Sequence, residues 1–267
     1  MYSFILHAHQ KVDRVAYQHL IALLDPKINP PISIDEILYF EGSRGPDAAK
    51  LKKGVTESPW HFYQPYGINS IFLKVVTDHY DRLVEQIVAG NKEHAAFEAA
   101  WLAHALVDGL TPAHQYPYEK ELASIRNSDK KTRCNISSHL LVHTDSAKES
   151  LKRSFKLIGP RGLLTTHTGF EAGASSIILS LNLAKALPDN TDLKLLESTS
   201  FIDIFERYAR QIEHFKMYDR FYRRGWTQAL ARDMRLEVAP RMVRMVTLAW
   251  YSAFVSAGQQ MEPDYAD

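Results

Sequence analysis

Apolar side chains recur at three- and four-residue spacing through nearly every segment of this sequence, and runs that alternate apolar with polar are scarce. Val12, Val15, Ala16, His19, Leu20 and Leu23 form one such series, and Phe72, Val75, Val76, Tyr80, Leu83 and Ile87 form another. Residues three and four apart share one face of an α-helix, so each series is a stripe that must be buried against a neighbour. The spacing predicts an all-α fold, with helices at about 10–24, 67–88, 93–109, 137–157, 170–186, 193–215 and 234–257.

Helix breakers fall between these segments: Pro26, Pro30 and Pro31; Gly42, Gly45 and Pro46; Pro59 and Pro65; Gly159, Pro160 and Gly162; and Pro188. No repeat or low-complexity tract separates them, which predicts one multi-helix domain over residues 1–267. The stretch from Glu119 to Lys156 is rich in Lys and Arg and reads as a helical insertion at about 119–160. A hydrophobic content of 45% is ample for a core.

Charge and cysteine narrow the function. The 32 basic and 31 acidic side chains nearly cancel, so no global field draws the chain to a polyanion or to an anionic bilayer. Cys134 is the single cysteine, which excludes an internal disulfide and a cysteine-rich zinc finger. A metal would therefore sit on His and carboxylates, and twelve histidines are available. MYSFILHAHQ lacks the basic start and cleavage site of a signal peptide. A cytoplasmic chain is expected on that ground, and an exported one if the start is misassigned. The apolar stretch MVRMVTLAWYSAFVSAG contains Arg244, so no membrane span is expected. No protein partner is predicted.

The histidines fall in a pattern. In FEAAWLAHALVDGLTPAH, His104 and Asp108 are four apart and point from one helix face, and His114 follows six residues later. His167 and Glu171 in TTHTGFEAG repeat the four-residue step. Upstream, GSRGPD presents Asp47, and ESPWHFYQP presents His61 fourteen residues later. Singly, each also fits a core histidine bonded to a carboxylate, a dipole-facing glutamate or a turn aspartate. The joint order Asp, His, HxxxD, His, HxxxE points instead to a metal centre.

With these residues in hand, the chain resembles the zinc-dependent phospholipase C and single-strand nuclease superfamily. The likeness runs from about His9 to His114 and resumes at His167. HFYQP is similar to the family's HFYDP-like loop, and EVAPRMVRMVTLAWYSAF to its closing helix. The resemblance implies that Asp47, His61, His104 and Asp108 hold one zinc, that His114, His167 and Glu171 hold a second, and that His9 with Asp108 serves a third. His9 rather than His7 is in register. Secreted members complete the third site with a mature N-terminal Trp, whereas Met1 opens this chain. His139 and His143, an HxxxH pair in the insertion, compete with His167 and Glu171 for the second site.

The implied activity is phosphoric diester hydrolysis of the phospholipase C kind. Two zinc ions roughly 3.5–4 Å apart share a water, lower its pKa and direct the hydroxide at phosphorus. Asp47 is the implied base. The implied substrate is a phospholipid or other phosphodiester, with peripheral membrane contact. Choline-preferring members carry aromatics where Ala48 and Ser58 stand here, and Trp60, Tyr63 and Tyr66 offer a different wall. Phe62 occupies the position at which the nucleases stack a base. That residue and the basic insertion keep a nuclease or nucleotidase acting on single-stranded nucleic acid as the alternative, and a non-catalytic metal-binding scaffold as a third reading.

Overall fold

The protein is all-α. A computed structural model describes residues 2–25, 30–42, 44–50, 61–126 and 146–261, with backbone only for 2–6 and 50, and among them there is no strand. In chain order the helices are α1 (Tyr2–Leu23), α2 (Ile34–Glu41), α3 (Pro46–Lys50), α4 (Ser70–Val88), α5 (Lys92–Leu110), α6 (Tyr118–Arg126) and α7 (Ala147–Ile158). They continue as α8 (Leu163–Ser180), α9 (Asn190–Ser198), α10 (Phe201–His214), α11 (Met217–Arg224), α12 (Gln228–Asp233) and α13 (Ala239–Met261).

The centre is α5, which is almost wholly buried from Ala95 to Leu110. Ala95, Ala96, Ala99, Ala100, Ala103 and Ala105 are at most 1% exposed, and such small side chains let α4, α2, α13, α10 and α1 approach its backbone. Trp250 of α13, the largest of the fully buried side chains among the described residues, donates its indole Nε1–H to the Ala99 carbonyl at 3.1 Å. Gly109 follows from the same crowding: a Cβ there would stand 2.6 Å from Phe205 and 2.8 Å from Phe72. In turn, α1 lies between α13 and α8. The packing therefore draws α1, α2, α5 and α8 together.

Several elements differ from the spacing-based expectation. The segment expected at 193–215 is two helices, because Ser200 leaves the helical region (φ −81°, ψ 159°) and caps α10. Its Oγ accepts from the Asp203 N–H at 3.1 Å, and its own N–H donates to the Asp203 carboxylate at 3.0 Å. The helix expected at 170–186 runs from Leu163 to Ser180, and α2 and α11 were not expected at all. Of the helix expected at 137–157, residues 137–145 lie outside the described residues, and α7 covers the rest. Ahead of α13, Met234–Val238 form a π turn in which the Ala239 N–H reaches the Met234 carbonyl. Pro240, which has no N–H, cannot close the ordinary bond to Leu236, and this widens the turn.

Within the expected insertion, α6 and α7 pack on each other and on α8. Leu122 and Leu157 form a small core of their own with Tyr118, Ile125, Leu163 and Leu164. No described helix is long and apolar enough to cross a membrane.

Candidate metal centre

Asp108, four residues after His104 on the last turn of α5, is the hub of a buried cluster. It is 4% exposed, and four histidines from different parts of the chain face it. His9 Nε2 lies 3.4 Å from Oδ1, His114 Nδ1 lies 3.3 Å from Oδ1, and His104 Nε2 lies 3.2 Å from Oδ2. His61 Nδ1 makes a short contact with Oδ2. Burial pushes the Asp108 carboxyl pKa up, but His114, His104 and His61 outweigh it and hold the group well below the usual carboxylate range.

Local structure delivers each ligand. The α5 helix ends at Leu110, where the Thr111 N–H turns back to the Asp108 carbonyl at 2.9 Å. The His114 N–H then donates to the Thr111 carbonyl, also at 2.9 Å, which swings His114 back beside the aspartate. The loop carrying His61 is fastened to the same turn by the Tyr63 N–H donating to the His114 carbonyl at 3.1 Å. In the first turns of α8, His167 Nε2 and Glu171 Oε1 are 3.1 Å apart, and Glu171 Oε1 lies 2.7 Å from His114 Nε2. The His114 and His167 rings stack at 5.2 Å.

Three groups of potential ligands result: His9, His104 and Asp108; Asp47, His61 and His104; and His114, His167 and Glu171. Within each, one ligand atom per residue lies within 4.8 Å of the others. These buried clusters can hold metal ions. The donor set fits that role, since imidazole and carboxylate suit a divalent cation. Among the described residues, His9 Nδ1, His167 Nδ1 and Glu41 Oε2 are also buried without a hydrogen-bond partner.

All eight residues anticipated from the sequence are thus brought to one cluster, with His104 common to two of the groups and Asp108 facing histidines of all three. Asp47 is half-buried at its edge, 3.9 Å from His104 Nε2. His7 is exposed on α1, whereas His9 is 5% exposed and stacks on the His104 ring at 4.2 Å. Phe62 is half-buried at the rim, stacked on Tyr118 at 5.4 Å and tilted against His114 and His167. Tyr63 is not a wall of the cleft: it is fully buried between Phe72 and Phe205, with its hydroxyl donating to Glu206 at 3.1 Å. Trp60, Ser58, His139 and His143 lie outside the described residues.

Two acidic residues escaped the sequence reading. Glu41, the last residue of α2, is 1% exposed and accepts from His104 Nδ1–H at 2.9 Å, with His9 Nδ1 3.9 Å away. Burial lowers the His104 pKa, but Glu41 and Asp108 reverse this and hold it well above the usual histidine value. Ser33 starts α2 with a capping box on Glu36, and Gly45 lets the chain double back under Glu41, since a Cβ there would lie 2.3 Å from the Glu41 carbonyl. The second is Asp13, 1% exposed on α1; its burial, then the Glu41 charge, push its carboxyl pKa well up. A signal existed for both. Asp13 follows His9 by the same four-residue step as Asp108 follows His104, and Glu41 follows the buried Ile37 by four.

At the α8 end, Tyr218 is 6% exposed, with its ring 6.4 Å from that of His167. Burial, with Tyr118, Tyr116 and Glu171 nearby, pushes its pKa upward, so the phenol is neutral at ordinary pH. Compared with protein-family models, with curated proteins and with solved structures, the chain matches none.

Proposed function

We propose that this chain is a zinc-dependent phosphoric diester hydrolase of the phospholipase C kind. The observation that carries the reading is that three His–carboxylate groups adjoin in one buried cluster, in which His9, His61, His104 and His114 all face Asp108. A single structural ion pair needs one such group; phosphoryl transfer assisted by adjoining metal ions would need more than one.

Asp47, His61, His104 and Asp108 would hold one zinc, His114, His167 and Glu171 a second, and His9 with Asp108 a third. When bound, zinc supplies an activated water and charge stabilisation at phosphorus. The chain's own residues do the rest. Asp47, half-buried at the cleft edge, accepts the proton of the attacking water. Glu41 fixes the His104 tautomer with the proton on Nδ1, leaving Nε2 to face the cleft. Phe62 and Tyr118 wall the cleft at its rim and exclude water from one side of the substrate.

Tyr118 covers one of the two faces of Phe62 and leaves a base only the other to stack on, and on that ground a lipid phosphodiester is preferred to single-stranded nucleic acid. The test is zinc per chain by elemental analysis, followed by parallel assays on phosphatidylcholine and single-stranded DNA. At least one tightly held zinc and phospholipid cleavage are expected. Less than one zinc per chain would overturn the reading, and cleavage of DNA alone would replace phospholipase with nuclease.

A further inference from the structure

A cavity of about 680 Å³ adjoins the His114–His167–Glu171 end of the cleft, walled by α6, α7, the start of α8 and α11. Its lining has an excess of hydrogen-bond donors. Arg153, Lys156, Arg161 and Arg223 face it, against Glu121, Glu149 and Asp219. Glu149 is already taken by Arg153 Nε at 2.8 Å, whereas Lys156, Arg161 and Arg223 make no ion pair with any described residue. Tyr116, Tyr222, Ser124 and Thr166 add hydroxyls, and Thr166 immediately precedes His167.

Tyr218 joins the cavity to the metal cluster. It lines the cavity, its ring stands 4.9 Å from that of Tyr116, and its hydroxyl is buried with no hydrogen-bond partner among the described residues. A buried phenol left unpaired is costly, and the natural remedy is a ligand that accepts its hydrogen bond. Lys156, Arg161 and Arg223 outnumber the two remaining carboxylates of the lining, Glu121 and Asp219, and this balance gives the ligand its sign. Arginine pairs, with their fork of donors, suit the oxygens of a phosphate better than a neutral polyol.

We propose that this cavity is an anion subsite that takes a phosphate borne by the substrate's head group, with Tyr218 donating from the metal side and Arg161 and Arg223 from the opening. The proposal names the substrate class of the hydrolase reading above, a phosphodiester whose head group carries a second phosphate, and its catalytic consequence rests on that reading. The anion binding itself does not.

The two are separated by titrating the purified full chain with inorganic phosphate in a calorimeter, with zinc measured on the same sample. Arg161 and Arg223 are exposed, so R161Q/R223Q leaves the core untouched, and Y218F removes one hydroxyl. If both readings hold, wild type binds about two phosphates, one at metal and one in the cavity, and the double variant loses the second or weakens it about tenfold or more. Y218F weakens the same site and, by removing an unpaired buried hydroxyl, gives a phosphate-free melting temperature at or above that of wild type. One phosphate in wild type and none in the double variant, with no zinc, would keep the subsite and overturn the hydrolase reading. Identical phosphate binding by wild type and the double variant would overturn the subsite, as would choline binding in the cavity in place of phosphate.

Discussion

Glu41→Gln tests the arrangement of the centre most sharply, because it removes a charge and almost no volume. Glu41 and His104 are 0% and 1% exposed as side chains, and the Nδ1–H to Oε1 bond is 2.9 Å long. The amide can still accept this bond. What is lost is the difference between a charge-assisted hydrogen bond, about 1.5–3 kcal/mol, and a neutral one, about 0.5–1.5 kcal/mol. That difference, roughly 1–1.5 kcal/mol, corresponds to about tenfold in zinc affinity. The carboxylate also raises the basicity of His104, which carries the expectation toward the upper end of the roughly 10- to 100-fold seen for such outer partners. Removing the charge also relieves Asp13, whose carboxyl pKa Glu41 helps to raise, so the metal-free fold gains there part of what it loses at His104. The assay is competition with a chromogenic zinc chelator at neutral pH, beside thermal melts of metal-free wild type and variant. A zinc Kd within about twofold of wild type in a folded variant would refute the reasoning, since Glu41 would then neither orient nor polarise His104.

Other outcomes follow from the same geometry. His104→Ala removes a residue shared by two ligand groups and should abolish zinc retention and hydrolysis together, whereas His143→Ala should keep both; zinc analysis of the two variants decides, and the reverse result would move the second site to the insertion. In metal-free protein the raised His104 pKa contributes stability that is complete below the unfolded value near 6.5 and is lost as pH rises through the folded value. Asp108 contributes in the opposite sense: its stability is present above the unfolded value near 3.9 and is lost as pH falls through its depressed folded pKa. Chemical denaturation across pH should therefore show metal-free stability declining on the alkaline side, while zinc affinity rises there as His104 gives up its proton; a flat metal-free profile through the neutral and mildly alkaline range would contradict this. Gly109→Ala places a methyl against Phe205 and Phe72 and should cost about 1–3 kcal/mol, seen as a melting temperature lowered by several degrees. An unchanged melting temperature would show that the two rings yield freely.

The sequence by itself determined the helical class, through the three- and four-residue spacing, and the juxtaposed pairs His104–Asp108 and His167–Glu171, because four residues is one helical turn and both side chains then leave the same face. Short-range chemistry of this kind is written locally. It failed where a local signal of another period intervened: the Ser200 capping box splits one continuous apolar series into α9 and α10, and Pro240 opens a π turn without ending the helix. Only the tertiary structure decided that Asp108 is the hub, that Tyr63 of HFYQP belongs to the core while its neighbours His61 and Phe62 turn to the cleft, and that Glu41 stands behind His104. Those relations join residues of α1, α2, α5, α8 and the loop before α4, and they depend on the alanine-lined surface of α5 admitting its neighbours closely. In sequence Glu41 offers only its four-residue step from Ile37, which does not say what the carboxylate meets. Its meaning comes from the desolvated imidazole opposite it, which packing alone supplies.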